Sequence, residues 1–321
     1  MSFKKKALAS AIALAAAGAM IIPAAASPAA AASTYKICVY THGDGGTFWS
    51  VFQKGAVAAA KKLGVKLDYQ GSSNDAAKQA STISAGIAAG CQGLATSVPD
   101  PAAIKTAVAG YVKKGIPFVT VNSGSDVSQS LGAFTHIGQD ETIAGQQAGL
   151  RFNKMGLKHI LCPIQEAANI GLQARCKGLK QTFKGKVTNF NADGALSDLT
   201  AATQKIQAAL SADKTYDGVF ALNADVAAKA VLPAVKALKA KIKIGTVDMS
   251  PEALADIKAG TISFAIDQQQ YAQGYMAVVL LYLALNNGNQ LGGGQAIYTG
   301  PGFVTKDNVA KVISLVAAGT R

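Results

Sequence analysis

The sequence predicts an α/β protein with two lobes, each a doubly wound parallel sheet covered by helices on both faces. From Lys36 onward, short runs rich in β-branched residues alternate with longer helical patterns, and Gly, Asn, Asp or Pro marks most junctions. Strict alternation of strand and helix is typical of parallel sheets with helices on both faces. The series is too long for one such sheet, and residues 134–140 offer a crossing point to a second.

The individual elements follow this alternation along the chain. The apolar runs predict strands at residues 36–41, 66–70, 93–97, 117–121, 158–161, 187–191, 218–222, 242–247 and 261–266. The amphipathic patterns between them predict helices at residues 47–63, 75–89, 101–114, 141–154, 172–183, 198–210 and 225–238. A chain of 321 residues has room for two such lobes.

The first residues have the layout of a secretory signal peptide. Lys4, Lys5 and Lys6 precede an apolar run over residues 7–22, and a tract of Ala, Ser and Pro follows. We predict a signal peptide over residues 1–32, cleaved after Ala32, with Ala26 as a second candidate site. An uncleaved membrane anchor is disfavoured because the run is shorter and less hydrophobic than a membrane span. We therefore expect a soluble mature protein in the periplasm.

The composition excludes a disordered chain and does not indicate a nucleic-acid partner. Half of the residues are apolar, 15% are charged, and 31 basic against 18 acidic side chains give a formal charge of +13. Removing the three leader lysines leaves 13 − 3 = +10. The remaining lysines are scattered over predicted helix faces without interleaved aromatic residues, so we expect a solvated basic surface and no nucleic-acid binding.

Polar loops follow several of the predicted strands. In open parallel sheets, ligands bind at the carboxyl ends of the strands. The loops at these ends are residues 42–49, 97–100, 122–126, 223–225 and 248–250. Two facing lobes would bring these loops together, which predicts a binding cleft between the lobes.

Catalytic and metal sites are not indicated. The sequence has no Gly-x-Ser-x-Gly segment, and its three histidines lack helical metal-binding spacing. His42 and His136 lie at first-lobe strand ends, where they face either the cleft or the hinge, and His159 begins a strand and is expected at the surface. We expect no metal and no cofactor. An exported enzyme is the rival function class.

Seven segments, in order along the chain, carry a resemblance to a known family. They are GGTFW at 45–49, NDAAKQ at 74–79, GIPFVTVN at 115–122, RCKG at 175–178, ALNAD at 221–225, GTVDMSPEAL at 245–254 and FAIDQ at 264–268. The sequence resembles the periplasmic sugar-binding proteins of the ribose and galactose type, the solute receptors of ABC importers. The resemblance implies the type I periplasmic binding protein fold, in which two Rossmann-like lobes are joined by a three-strand hinge.

The resemblance also implies how the chain divides between the lobes. The N-terminal lobe would comprise residues 33–139 and 269–298, and the C-terminal lobe residues 140–268 and 299–321. The three crossings are expected near residues 139–140, near Gln268 and near residues 298–301.

The resemblance implies a site for a small neutral sugar or polyol. Such ligands stack their C–H faces on aromatic rings and form paired hydrogen bonds with planar polar groups away from water. Phe48 and Trp49 stand where the family has its stacking aromatic residues. Asp248, Asn223 and Gln268 are expected to bond the ligand hydroxyls.

Residues at other positions narrow the choice of ligand. Arg175 is the expected forked cationic donor, although some relatives have their ligand arginine at the position of Gln173. Asn122 and Ser123 stand where ribose-binding relatives have Asp-Arg, which argues against an aldopentose such as ribose. Because Gly46 replaces an Asn of the family, His42 or Asp44 is expected to supply the missing hydrogen bond.

The implied function is delivery of this ligand to an ABC transporter membrane permease by hinge closure, by a protein that we expect to be a monomer. The alternative is a sensor or chemoreceptor-type binding protein for a furanose or autoinducer-like ligand.

Four cysteines fall in the predicted mature chain. In an oxidising compartment they are structural disulfides or inert buried thiols. In the fold that the resemblance implies, the first strand pairs with the third, which places Cys38 near Cys91. Cys162 ends a strand and Cys176 lies on the helix that packs against it. We therefore predict the pairs Cys38–Cys91 and Cys162–Cys176.

Overall fold

The computed structural model describes residues 35–321, so the predicted signal peptide lies outside the described residues. Two six-stranded sheets organise the described part of the chain. The strands are β1 (Lys36–Thr41), β2 (Lys66–Gly71), β3 (Gly93–Ser97), β4 (Phe118–Val121), β5 (Thr135–Gln139), β6 (His159–Ile164), β7 (Lys186–Asn191), β8 (Gly218–Ala221), β9 (Lys243–Val247), β10 (Phe264–Asp267), β11 (Ile297–Gly300) and β12 (Gly302–Thr305).

The first sheet has the order β11-β5-β4-β3-β1-β2, and all of its neighbouring strands are parallel. The second sheet has the order β12-β10-β9-β8-β6-β7, in which only the β10–β12 pair is antiparallel. The predicted fold class of two parallel-sheet α/β lobes is therefore confirmed.

Helices connect the strands and cover both sheets. They are α1 (Gly46–Leu63), α2 (Ala76–Ala88), α3 (Pro101–Lys113), α4 (Glu141–Lys154), α5 (Ile170–Thr182), α6 (Leu199–Ala212), α7 (Ala224–Val226), a π-helical turn (Ala227–Val231), α8 (Leu232–Ala237), α9 (Pro251–Ala259), α10 (Gln270–Asn287) and α11 (Ile313–Ala317). No helix within residues 35–321 combines the length and the apolar character that a membrane span needs.

Short polar side chains set where many of these helices begin. The carboxylate of Asp75 accepts a hydrogen bond from the backbone N–H of Lys78, and Asp198 does the same for Ala201. Capping of this kind satisfies a donor that the first helical turn leaves unpaired. The sequence predicts helices that begin at these two aspartates, whereas the structure makes them caps that stand just outside.

The alternation of side chains along β1 shows how each sheet is buried on both faces. Ile37 and Val39 pack in the core beneath α1 and α10, whereas Cys38 and Tyr40 pack in the core beneath α2 and α3. Successive side chains of a strand point to opposite faces, so one apolar strand contributes to two cores. This explains why the sequence shows continuous apolar runs.

Close helix packing in the first lobe depends on small residues. A Cβ atom on Gly55 of α1 would lie 2.1 Å from the carbonyl oxygen of Tyr271, and one on Gly274 of α10 would lie 2.0 Å from that of Phe52. No real Cβ atom tolerates such distances. The two glycines therefore allow α1 and α10 to pack backbone against backbone, although they are far apart in sequence.

Within residues 35–321, the chain passes between the sheets three times: after β5, after β10 and between β11 and β12. Residues 134–140, which the sequence suggests only as a crossing point, contain the whole of β5. Its five residues include polar side chains and a glycine, and their burial between β4 and β11 comes from tertiary pairing.

Two of the histidines do not lie where the sequence suggests. His136 is buried in β5, with its Nδ1 atom 2.9 Å from the Thr120 hydroxyl, and it does not line the cleft. His159, expected at the surface, is 3% exposed and packs on Tyr216 at 4.1 Å between ring centroids. Burial lowers the pKa of His136 to about 4, so this imidazole is neutral at physiological pH.

Both predicted cysteine pairs are disulfides in the structure. Cys38 in β1 is bonded to Cys91, which lies just before β3, with a Cα–Cα distance of 5.7 Å. Cys162 in β6 is bonded to Cys176 in α5, with a Cα–Cα distance of 6.2 Å. Each bond therefore links a central strand to an element that packs beside it.

Candidate functional site

A cavity of about 400 Å³ lies between the carboxyl ends of the two sheets. Its volume is in the usual range for small-molecule sites. Ten of the eleven residues that the sequence suggests as ligand contacts line it: His42, Asp44, Phe48, Trp49, Asn122, Ser123, Arg175, Asn223, Asp248 and Gln268. They come from the loop and the helix start after β1, from the loops after β4, β8, β9 and β10, and from the helix after β6. The carboxyl ends of both sheets face this cavity.

The exception is Gln173, and its inclusion among the cleft residues was wrong. Its side chain is exposed, donates a hydrogen bond of 2.7 Å to the carbonyl oxygen of Ala167 and does not line the cavity. Arg175 follows by two residues on α5 and is 3% exposed. Residues two apart on a helix point to nearly opposite sides, so only one of this pair can face the cleft.

Aromatic rings form one wall of the cavity. Phe48 and Trp49 lie in the first turns of α1, are 7% and 8% exposed, and meet edge to face at 4.8 Å between ring centroids. Trp49 also contacts His42 at 4.9 Å, again edge to face. A Cβ atom on Gly43 would lie 2.1 Å from Trp49 Nε1, so the glycine makes room for the indole. These contacts hold the rings in place without a ligand.

A series of polar side chains crosses the floor of the cavity. Gln268 donates to Asp248 Oδ1 at 2.6 Å and accepts from the Asn122 amide at 3.5 Å. The Asn223 amide lies 3.5 Å from Asp248 Oδ2. Asn122 belongs to the first lobe, Asp248 and Asn223 to the second, and Gln268 to a crossing segment. The series therefore joins both lobes through the hinge.

Two members of this series have an unusual backbone conformation. Asn122 has φ of 60° and Asp248 has φ of 70°, in the left-handed region. Asn and Asp tolerate this region better than most residues, and strained conformations of this kind concentrate at functional sites. Each residue directly follows a strand, so the turn directs its side chain out of the sheet edge.

Arg175 is held by several bonds of its own. Its Nε and Nη2 atoms donate to the two carboxylate oxygens of Glu141, the second at 3.0 Å, and Nη1 donates to the carbonyl oxygen of Leu222 at 3.1 Å. Burial works against the charged guanidinium, but Glu141 outweighs it and raises the pKa of Arg175. A guanidinium has five N–H groups. The three bonds leave two N–H groups for a ligand.

Asp248 has an unusually high pKa. Its burial raises the pKa from 3.8 to about 7, with smaller contributions from Glu141 and Asp267, and against the lowering effect of Arg175 and Gln268. Near neutral pH, Asp248 therefore exists in both protonation states. The neutral form can donate a hydrogen bond to a ligand oxygen, and the charged form can only accept.

Direct contacts join the two lobes across the cleft. Thr47 donates to Asp225 Oδ2 at 3.1 Å, Ser123 donates to Asn169 Oδ1 at 3.0 Å, and the backbone N–H of Ile170 donates to the carbonyl oxygen of Pro99 at 3.1 Å. The structure therefore has a closed cleft, with first-lobe loops bonded to second-lobe helix starts.

Sequence reasoning missed several residues of this site. Glu141, Glu166, Asn169 and Asp225 hold or bridge the predicted residues. Glu141 and Asp225 stand in the first turn of a helix and Asn169 is an N-cap, where such side chains are common for local reasons. Of these four residues, only Asp225 had a sequence signal for a place in the cleft, because it ends the polar loop 223–225 after a predicted strand.

One cluster of metal-ligand residue types occurs among residues 35–321: Cys38, Asp68 and Cys91. The two sulfur atoms are joined in a disulfide, whereas metal binding by cysteine needs thiolates. These three residues therefore do not form a metal site.

A family model described as a periplasmic binding protein domain matches residues 37–290. Among solved structures, the chain is similar to a carbohydrate transporter from Acidothermus cellulolyticus in complex with myo-inositol. The two are 41% identical, with a TM-score of 0.86, over 90% of this chain and 100% of the other.

Two curated proteins are more distant relatives. The ribose import binding protein RbsB of Haemophilus influenzae is 28% identical over 80% of this chain and 87% of its own length. The xylose/arabinose-binding protein XylF of Sulfolobus acidocaldarius is 27% identical over 86% of this chain and 72% of its own length. Their similarity extends over both lobes.

Proposed function

The chain belongs to the periplasmic binding protein family, and from this membership we propose that it binds a small neutral sugar or polyol and delivers it to the permease of an ABC importer. The observation that carries the proposal is the cleft itself, where the aromatic wall of Phe48 and Trp49 faces the hydrogen-bonded series of Asn122, Gln268 and Asp248. An apolar wall opposite paired polar groups suits a ring with C–H faces and a rim of hydroxyls.

Ligand binding favours closure only through contacts that the open form lacks. Here Trp49 and Asn122 belong to the first lobe and Arg175 and Asp248 to the second, so one ligand between them contacts both. The three crossings between the sheets act as the hinge, and the closed form docks on the permease. Small-angle scattering should show a smaller radius of gyration with ligand than without; an unchanged radius would contradict hinge closure.

The ligand class is a small neutral sugar or polyol other than an aldopentose such as ribose. Asn122 and Ser123 leave the first-lobe position uncharged, and the 41% identical transporter is in complex with myo-inositol. Cyclic polyols are therefore the first candidates, followed by neutral hexoses. The names of the relatives describe import and transport, so the sensor alternative gains no support.

The remaining features of the proposal follow the same family. The protein works outside the cytoplasm, as a monomer without catalytic activity, after cleavage of residues 1–32. We place the lobes at residues 33–139 with 269–298 and residues 140–268 with 299–321, except that the last boundary moves to Gly300 because β11 pairs with β5 of the first sheet up to that residue. Amino-terminal sequencing of the exported protein tests the cleavage site, and incubation of a bound sugar with the purified protein tests for turnover.

Trp49 provides a direct test of binding, because it is the only tryptophan in the sequence and lines the cavity. We expect its fluorescence to change on titration with myo-inositol or another neutral polyol or hexose, with calorimetry giving one site per chain. Ribose should bind more weakly. If no member of a panel of neutral sugars and polyols binds at millimolar concentration, the proposed function is wrong.

A further inference from the structure

A second cavity of about 430 Å³ adjoins the first along the same interlobe cleft. Of the residues that the sequence suggests as ligand contacts, only His42 lines it. The two cavities share eight lining residues, among them His42, Glu166 and Asn169. We call the cavity at Phe48 and Trp49 the inner chamber and the second cavity the outer chamber.

His42 and Glu166 mark the boundary between the two chambers. His42 Nε2 lies 3.5 Å from Glu166 Oε2, and this contact joins the loop after β1 to the loop after β6. Each side chain is held from behind: His42 Nδ1 lies 2.7 Å from the Ser97 hydroxyl, and Asn169 donates to Glu166 at 2.6 Å. Burial opposes ionisation of Glu166, but its bonds to His42 and Asn169 and the charge of Arg175 lower its pKa. Glu166 is therefore a charged hydrogen-bond acceptor that both chambers share.

The outer chamber is lined by two buried amides with unused acceptors. Gln79 on α2 and Gln165 after β6 are 1% and 4% exposed, and the amide oxygen of each has no hydrogen-bond partner. The Gln79 amide nitrogen donates to the carbonyl oxygen of Ser97 at 2.8 Å. Because the Ser97 carbonyl can only accept, the atom of the Gln79 amide that bonds to it is the nitrogen. The atom without a partner is therefore the amide oxygen. Each of these oxygens needs a donor, because a buried unpaired acceptor costs about 1–3 kcal/mol.

The charges around the outer chamber exclude an anionic ligand. Asp100, Glu166 and Asp193 line it, and the only basic side chain is the imidazole of His42. A phosphate or carboxylate there would meet like charges and few donors. A neutral group with several hydroxyls supplies the donors that Gln79 and Gln165 lack, and it adds no charge.

We propose that the outer chamber is a second carbohydrate subsite, so that the preferred ligand is a neutral two-unit compound, either a disaccharide or a glycosylated polyol. One unit stacks on Phe48 and Trp49 in the inner chamber, and the other places its hydroxyls between Gln79 of the first lobe and Gln165 of the second. The linkage passes His42 and Glu166. The inference rests on the proposed function for its first unit and adds the second.

Calorimetry on matched pairs tests this proposal: galactosyl-myo-inositol with myo-inositol, melibiose with galactose, and cellobiose with glucose. Two hydrogen bonds of about 1 kcal/mol each predict that at least one two-unit ligand binds about tenfold or more tightly than its own single unit. If single units bind and no two-unit compound binds more tightly, the second subsite is wrong while the proposed function stands. If neither the single units nor the two-unit compounds bind, the proposed function and the second subsite are both wrong.

A substitution that fills the outer chamber tests its position. Ala76 is the first residue of α2 and lines the outer chamber but not the inner one. Its neighbour Ala77 is exposed and lines neither chamber. Ala76→Phe should reduce the affinity for the two-unit ligand to that of the single unit and leave the single-unit affinity unchanged. Ala77→Phe, the matched control, should change neither affinity.

Gln79→Leu gives a second, independent measurement if Ala76→Phe impairs folding, because Gln79 lines the outer chamber and not the inner one, whereas Gln165 lines both. Loss of the Gln79 amide oxygen should weaken the two-unit ligand by about fivefold to tenfold and the single unit by less. Equal weakening of both ligands by either variant would overturn the proposal.

Discussion

Arg175 and Glu141 form a buried, bidentate ion pair at the floor of the cleft, with Nη2 of the arginine 3.0 Å from Oε1 of the glutamate. The two residues are 3% and 6% exposed. Glu141 also accepts a hydrogen bond of 2.9 Å from Gln139, at the first crossing between the lobes. The pair therefore fixes the plane of the guanidinium relative to the hinge before any ligand arrives.

Glu141→Gln is expected to destabilise the protein and weaken ligand binding. The amide keeps the size of the side chain but removes the only carboxylate that is hydrogen-bonded to the buried Arg175 guanidinium among residues 35–321, and breaking such a buried pair typically costs about 3–5 kcal/mol. Denaturant unfolding measures the stability and calorimetry the affinity. Glu252→Gln is the matched control, because Glu252 is half exposed in its contact with Lys229 and should contribute less than about 1 kcal/mol. Equal effects of the two substitutions would contradict a structural role for the buried pair.

We expect the stability of the wild-type protein to fall as the pH rises, because Asp248 has a raised pKa. The substitution Asp248→Asn should abolish this fall. In the unfolded chain Asp248 loses its proton near its ordinary pKa of 3.8, whereas the folded protein retains the proton up to about pH 7. Between these values the unfolded state binds fewer protons, so raising the pH favours unfolding. The stabilising contribution is complete below pH 3.8 and is lost as the pH rises through 7.

The measurement is the melting temperature of the ligand-free protein between pH 5 and pH 8. Relative to the wild type, the variant should gain about 3 kcal/mol of stability between pH 5 and pH 8, since most of a shift of about three units falls in this range. Asp126→Asn, on an exposed turn, is the matched control. Its melting temperature should vary with pH in parallel with that of the wild type. Parallel curves for Asp248→Asn as well would exclude a high pKa for Asp248.

Trp49→Leu should weaken ligand binding more than it weakens the fold. Leucine retains apolar volume but lacks the flat face on which a sugar ring stacks, and a stacking contribution of about 1.5 kcal/mol corresponds to about tenfold in affinity. Phe52→Leu is the control: Phe52 packs against Trp49 at 5.4 Å between centroids, is fully buried and does not line the cavity. It should lower the melting temperature and leave the affinity unchanged. The opposite pattern would place Trp49 in the core rather than in the site.

Both disulfides should contribute to stability, and the one that closes the longer loop should contribute more. Cys38–Cys91 spans 53 residues and Cys162–Cys176 spans 14. Loop-closure entropy predicts about 4 kcal/mol for the first and about 3 kcal/mol for the second. Urea unfolding of the two double alanine variants measures each contribution without leaving a free thiol. Four reactive thiols in unfolded, unreduced protein would show that neither bond forms.

Sequence patterns predicted the regular elements well, because the strands and helices of buried sheets carry strong local patterns. The helix Glu141–Lys154 has the bounds that the sequence suggests. β5 is more polar and contains a glycine, so its strand character depends on the neighbours β4 and β11. The helix Gln270–Asn287 returns to the first lobe to pack on α1 through Gly274 and Gly55, a contact that no local pattern encodes.

The candidate site was predictable where its residues directly follow strands. Asn122, Asp248 and Gln268 directly follow strands, and Asn223 stands two residues after one. The topology of a parallel sheet brings the carboxyl ends of its strands to one edge, so these residues meet there. The choice between Gln173 and Arg175 was not predictable from the sequence, since it depends on the rotation of α5 against its sheet.

By itself, the sequence determined the two-lobe α/β architecture and the loops that form the cleft, because these depend on the alternation of strands and helices. The pairing of the cysteines followed from the strand order that the family resemblance implies. Only the tertiary structure decided which polar groups hold Arg175 and Asp248, and that a second chamber with unused acceptors lies beyond His42 and Glu166. The physical reason is that hydrogen bonds and charges act over a few ångströms. Their partners are brought within that distance by the packing of helices and lobes that lie far apart in the chain.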